Sequence, residues 1–96
     1  MQFEWDEDKS LANQTKHGLT FEEAQELFLS DADYLEIFDE AHSDHEDRFI
    51  AIGPISRGVI MVVFTERNED VIRIISARPA TKSEQQMFYH HTVGQL

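Results

Sequence analysis

The 96 residues predict a single α+β domain, spanning 1–96, in which a central antiparallel β-sheet carries two N-terminal helices and one C-terminal helix. Three observations lead there. Between Arg48 and Ala77 lie three apolar runs, RFIAIGPI, VIMVVFT and VIRIISA, separated only by turn residues at 56–58 and 67–70; connections this short allow hairpins but no crossover helix. Two capping boxes, Thr20 with Glu23 and Thr81 with Glu84, open helices on either side of that block. The length suffices for one core, with no cysteine to staple it.

Phe3 to Trp5 alternates apolar, charged, apolar, as a short edge strand does, and Asp6 can cap the helix that follows. That helix should run to about Lys16. Lys9, Asn13, Lys16 and His17 fall at i, i+4, i+7 and i+8 on one polar stripe, with Leu11, Ala12 and Thr15 away from it. Gly18 is its left-handed terminator, and Lys16 and His17 complement the negative end of the helix dipole, so capping is one reading of His17. The second helix starts at Phe21, with Leu19 and Ala24 as a staple, and should end near Ser30. Phe21, Ala24, Leu27 and Phe28 form its apolar face; Glu22, Glu23 and Glu26 form the acidic one. Tyr34, Leu35, Ile37 and Phe38 read as a strand, followed by the polar loop AHSDHED.

The segment VIRIISARPA, Val71 to Ala80, is the predicted meeting point of core and chemistry. Simple alternation puts Ile72, Ile74 and Ser76 on one face and Val71, Arg73, Ile75 and Ala77 on the other. Both faces are mostly apolar, so the strand belongs centrally, and Arg73 and Arg78 are held by the most rigid part of the molecule. Pro79 ends the strand and leaves Arg78 at its exit. Both arginines could equally snorkel to solvent or pair with carboxylates. The last helix, from Thr81 through Met87 and Phe88 towards His91, should fray from Val93 onward.

Charge is distributed unevenly. The net is −11, but residues 1–47 hold 15 Asp and Glu against two Lys, a balance of −13, and residues 48–96 hold four acids against six bases, a balance of +2. A locally basic cleft with an acidic flank would look like this, and the flank could attract a basic protein partner; a solvated acidic surface would too. The start of the chain carries no basic region followed by an apolar run, and no stretch reaches membrane-spanning length. The expectation is a cytoplasmic protein with no membrane association.

His42, His45 and Glu46 raise the question of a metal. Their H-x-x-H-E spacing differs from the helical H-E-x-x-H arrangement and falls in a predicted loop, so neither metal nor cofactor is expected. A Gly-rich phosphate loop, a Cys nucleophile and a G-x-S-x-G elbow are all missing. What remains, arginines, histidines and carboxylates beside a sheet, suits metal-free RNA cleavage: a base for the 2′-hydroxyl, cations for the phosphorane-like transition state, an acid for the leaving oxygen. The same residues would equally make a salt-bridged surface.

FEWDEDK at 3–9, Asn13, KHG at 16–18, FEEA at 21–24, HSDHEDR at 42–48, IG at 52–53, VVFTER at 62–67, RIISAR at 73–78, Ala80, Glu84 and Tyr89 together resemble the BrnT family of toxins over nearly the whole chain. FEWD, HS-x-x-E-x-R and RIISAR, in this order, are the specific parts. One departure is that Arg57 precedes Gly58, where the family commonly has a basic residue after the glycine. The resemblance implies a RelE-like fold and the toxin of a bacterial type II toxin-antitoxin pair, a ribonuclease that arrests translation. It also implies a BrnA-like ribbon-helix-helix antitoxin as partner, with DNA reached only through that antitoxin. Carried over position by position, it marks His17, His42, Glu46, Arg48, Arg67, Arg73 and Arg78 without assigning the proton-transfer roles; on its strength Arg67 and Arg78 are expected to be transition-state cations and His42, Arg48 and Arg73 contacts to RNA, with Glu46 or His17 as candidates for the base. Antiparallel neighbours would hold Arg67 and Arg78 at opposite ends of their strands, so the sheet alone does not unite them. The alternative is a weak or inactive relative that serves as a binding module for the antitoxin.

Overall fold

Short connections between the apolar runs fold them back on one another, and the rest of the chain packs on the two faces of the resulting sheet. The computed structural model describes residues 1–94, which form β1 (Gln2–Glu4), α1 (Glu7–His17), α2 (Phe21–Ala24), α3 (Glu26–Leu29), β2 (Leu35–Phe38), β3 (Arg48–Ile55), β4 (Gly58–Arg67), β5 (Val71–Pro79) and α4 (Lys82–Gly94). The sheet order is β1-β5-β4-β3-β2. Strands β2 to β5 are antiparallel neighbours. β1 corrects the all-antiparallel expectation: it lies parallel to β5, pairing Gln2 to Val71 and Glu4 to Arg73. Its distance along the chain from β5 permits this, because a parallel pair needs only a long connection.

The helix boundaries follow the capping chemistry. Asp6 accepts from the Lys9 amide, Gly18 turns left-handed at φ 72°, and both capping boxes form. The second predicted helix is interrupted at Gln25, which separates α2 from α3. α4 continues past His91 through Val93 to Gly94; the rest of the expected fraying lies outside the described residues.

The main core fills the space between α2, α3 and one sheet face, where Phe21, Leu27 and Phe28 meet Val62, Phe64, Ile72, Ile74 and Ala77. Burying each such side chain contributes about 1.5–3 kcal/mol. α1 enters this layer with its polar side inward. Ser10 and Asn13 are buried and Leu11 is exposed, so the stripe read from the sequence contains a structural residue. On the opposite sheet face Phe88 of α4 packs with Ile52 and Ala80, flanked by Leu35, Ile37, Ile50 and Met61. α4 lies on β2 and β3, which leaves the β4–β5 side of that face uncovered.

Strand β5 departs from simple alternation. Val63 pairs with Ser76 but Phe64 pairs with Ile74, so Ile75 is the extra residue of a β-bulge. The bulge shifts the phase: Ile72, Ile74 and Ala77 all reach the main core. Arg73 and Arg78, five positions apart and destined for opposite faces in a regular strand, now share one. Their cross-strand partners Thr65 and Met61 stand on the same side of β4.

Candidate active site

Residues 39–48 form a loop closed at its neck by hydrogen bonds. Asp39 N donates to Arg48 O at 2.8 Å. Ser43 Oγ donates to Asp39 O at 2.6 Å and accepts from Arg48 N at 3.0 Å. The buried Thr65 of β4 donates its hydroxyl to Asp47 O at 2.6 Å. A single 3₁₀ turn, Glu40–His42, starts the excursion, and the Asp39 carboxylate reaches His42 Nδ1 at 3.0 and 3.1 Å. A neck this well bonded keeps its side chains in place, although the loop tip is polar and exposed.

Two clefts meet at this loop. One, of about 270 Å³, is lined by Ala41, His42, Asp44, His45, Glu46 and Arg48. The other, of about 320 Å³, has a floor of Ile50, Met61, Val63 and Ile75 on the uncovered sheet face, with Ser76 beside it and Asp39, His42 and Arg48 at its rim. His42 and Arg48 belong to both.

The register aligns Arg48, Thr65 and Arg73 in one row across β3, β4 and β5, which sets the two arginines roughly 10 Å apart at the spacing of neighbouring strands. Arg67 stands two residues beyond Thr65 on the same face of β4. Two carboxylates link the three guanidiniums: Glu46 lies 3.8 Å from Arg48 and 3.7 Å from Arg67, and Glu4 lies 3.6 Å from Arg67 and 3.5 Å from Arg73. These separations exceed hydrogen-bond length, and every member is at least 30% exposed. Pairs of this kind contribute little to stability and leave most guanidinium N–H groups uncommitted. Arg48 Nε is buried without a hydrogen-bond partner among the described protein groups. Three arginines against two glutamates leave the chain of charges one unit positive.

Arg78 lies elsewhere. It pairs with Met61, whereas Arg67 pairs with Val71; six residues of β4 separate the two positions, roughly 20 Å. Its guanidinium meets Glu84 at the start of α4 with two bonds, of 2.8 and 2.9 Å. The bond from Arg78, opposed by partial burial and reinforced by the Thr81 amide, holds the Glu84 carboxyl below its ordinary range, and the same bond raises Arg78. His17 ends α1, the helix whose Asn13 is bonded to Leu19 and Ala77 on the main-core side of the sheet. Arg57 is also on the helical side, donating to Gly18 O at 2.8 Å and Glu23 at 2.6 Å. Of the residues singled out from sequence, His42, Glu46, Arg48, Arg67 and Arg73 are thus brought together, and His17 and Arg78 are not.

Asp39, Glu4 and Ser43 were not read as site residues from sequence. Ser43 and Glu4 stand inside HS-x-x-E-x-R and FEWD, which was a signal; Asp39 has only its i−3 spacing to His42. Among the described residues no group of three or more His, Cys, Asp or Glu side chains could hold a metal ion, and no helix is long and apolar enough to cross a membrane.

The family model for "Ribonuclease toxin, BrnT, of type II toxin-antitoxin system" matches residues 5–84. The crystal structure of the Brucella abortus ribonuclease toxin, BrnT, is similar at a TM-score of 0.63 and 33% identity, over 85% of this chain and 99% of that one. No protein of curated function matches the chain.

Proposed function

The chain belongs to the BrnT family of type II toxin-antitoxin systems, and on that premise we propose that it is a metal-independent endoribonuclease that arrests translation in the cytoplasm. We take its α+β fold to be RelE-like and its antitoxin to be a BrnA-like ribbon-helix-helix protein, through which alone it meets DNA.

The observation that carries this reading is the meeting of Glu46, Arg48 and His42 in one cleft, continuous through Glu46 and Glu4 with Arg67 and Arg73. Glu46 takes the proton from a 2′-hydroxyl; that His17 ends α1 on the other side of the sheet favours Glu46 over it. Arg48 and Arg67, both beside Glu46, stabilise the charge that develops on the phosphorane oxygens. Arg73, at the far end of the network, holds a neighbouring phosphate. A phosphate entering between these arginines competes with Glu4 and Glu46 for them, which loose ion pairs allow.

The test is cleavage of purified RNA by the isolated protein, with and without a chelator. Cleavage that survives chelation and drops about 10²-fold or more in Glu46→Gln and Arg67→Ala supports the reading. A folded protein that binds the antitoxin but cuts no RNA favours the binding-module alternative, for which the net charge of −11 already speaks.

A further inference from the structure

We propose that His42 is the general acid of this cleft and that Asp39 is the residue that positions it. The inference rests on the ribonuclease reading and adds to it the group that protonates the leaving oxygen.

Asp39 meets His42 Nδ1 with both carboxylate oxygens, at 3.0 and 3.1 Å. The two side chains differ sharply in exposure, 15% for Asp39 and 68% for His42. A largely buried carboxylate, fixed at the neck of the loop, therefore holds an accessible ring. With Nδ1 committed to Asp39, Nε2 is the nitrogen free to meet a substrate, and in the imidazolium form it is a donor. His42 shares one cleft with Glu46 and Arg48, and with Arg48 it forms the wall between that cleft and the apolar floor of Ile50, Met61, Val63 and Ile75. A dinucleotide step laid across the wall sets its phosphate at Arg48 and one base on the floor, with a carboxylate and an imidazole at hand for the two proton transfers.

Glu46 accepts the 2′-hydroxyl proton, the 2′-oxygen bonds to phosphorus, and the bond from phosphorus to the 5′-oxygen breaks. The electron pair of that bond stays on the 5′-oxygen, which takes the Nε2 proton of His42. The products are a 2′,3′-cyclic phosphate and a 5′-hydroxyl; Glu46 then releases a proton to water and His42 regains one. The charged or titratable groups around the ring are Asp39 on its own turn, Asp44, His45 and Glu46 along the loop, and Arg48 on β3.

The test compares an ordinary RNA, its cleaved bond mapped, with the same RNA carrying sulfur in place of the bridging 5′-oxygen at that bond. A thiolate leaves without protonation, so it needs no acid. His42→Ala should lose about 10²-fold or more on ordinary RNA yet return to within about tenfold of wild type on the sulfur substrate. Glu46→Gln should stay slow on both. Asp39→Asn, which loosens the hold on Nδ1, should fall on ordinary RNA and, like His42→Ala, recover on the sulfur substrate; a merely structural role for Asp39 would leave it equally slow on both. The assignment is overturned if folded His42→Ala cuts ordinary RNA at the wild-type rate, if it is equally slow on both substrates, or if His45→Ala is the variant that sulfur rescues. A wild-type protein that cuts neither substrate overturns the ribonuclease reading itself, and the assignment with it.

Discussion

Asn13 is a polar side chain at the contact between α1 and the sheet. Its amide donates to Leu19 O at 2.7 Å and Ala77 O at 2.8 Å and accepts from Ala77 N at 3.2 Å. β1 pairs with β5 only as far as Arg73, so the amide satisfies a stretch of β5 edge that no strand covers. Asn13→Ala orphans three buried backbone groups and should cost about 2–4 kcal/mol, readable as a lower urea midpoint. Leu11→Ala, two residues away and on the exposed side of α1, should cost far less. Glu84 gives a pH signature. Its carboxyl is held below the ordinary value of 4.5, chiefly by Arg78, so the unfolded chain takes up this proton at higher pH than the folded one. The resulting stability is fully present above about pH 4.5 and is lost as pH falls through the folded-state value. For a pair this exposed, about 1 kcal/mol is at stake. Glu84→Gln should therefore lower the Tm at pH 7 by about 4–8 °C, with the gap closing in acid.

At the level of elements, Gly53 sets how closely α3 approaches β3. A Cβ there would stand 2.7 Å from both Leu27 Cδ1 and Tyr34 Cβ, and neither is the loose end of a long side chain. Gly53→Ala should cost about 1–3 kcal/mol, measured by denaturant unfolding, with no direct effect on the cleft. The β5–α4 junction is tied by Arg78 and Glu84, which the bulge at Ile75 helps to align by turning Arg78 onto the α4 side. Arg78→Ala should lower stability much as Glu84→Gln does, and cleavage per folded molecule should fall less than in Arg48→Ala. A larger loss of cleavage than in Arg48→Ala at unchanged Tm would return Arg78 to the mechanism.

The whole molecule is polarised. The acidic residues of α1 to α3 line the helical layer, while Arg48, Arg67 and Arg73 stand on the other face of the sheet. If the antitoxin carries the basic DNA-binding end that the proposed ribbon-helix-helix partner would have, it meets a net charge of −11 before it touches any particular residue. Its association rate constant should fall as ionic strength rises, since screening at 0.15 M acts beyond about 8 Å. A rate constant flat across salt in stopped-flow mixing would mean that the acidic surface takes no part in steering.

Read alone, the sequence determined what depends on near neighbours in the chain. Cap chemistry at Asp6, Gly18, Thr20 and Thr81, the hairpins after Ile55 and Arg67, and the apolar runs that become β3 to β5 are all local, so spacing reveals them. Membership of the family was legible as well, because HS-x-x-E-x-R and RIISAR are contiguous. Three matters were settled only by tertiary structure. The bulge at Ile75 is a property of the β4–β5 register and leaves no mark in a run of isoleucines, yet it decides which face Arg78 occupies. Asn13 looked like surface because its partner, Ala77, lies 64 residues away. And the charge network from Arg48 and Glu46 through Arg67 reaches Arg73 because β1 lies parallel to β5 and brings Glu4 between the two arginines, a pairing of segments about 70 residues apart that no local pattern encodes.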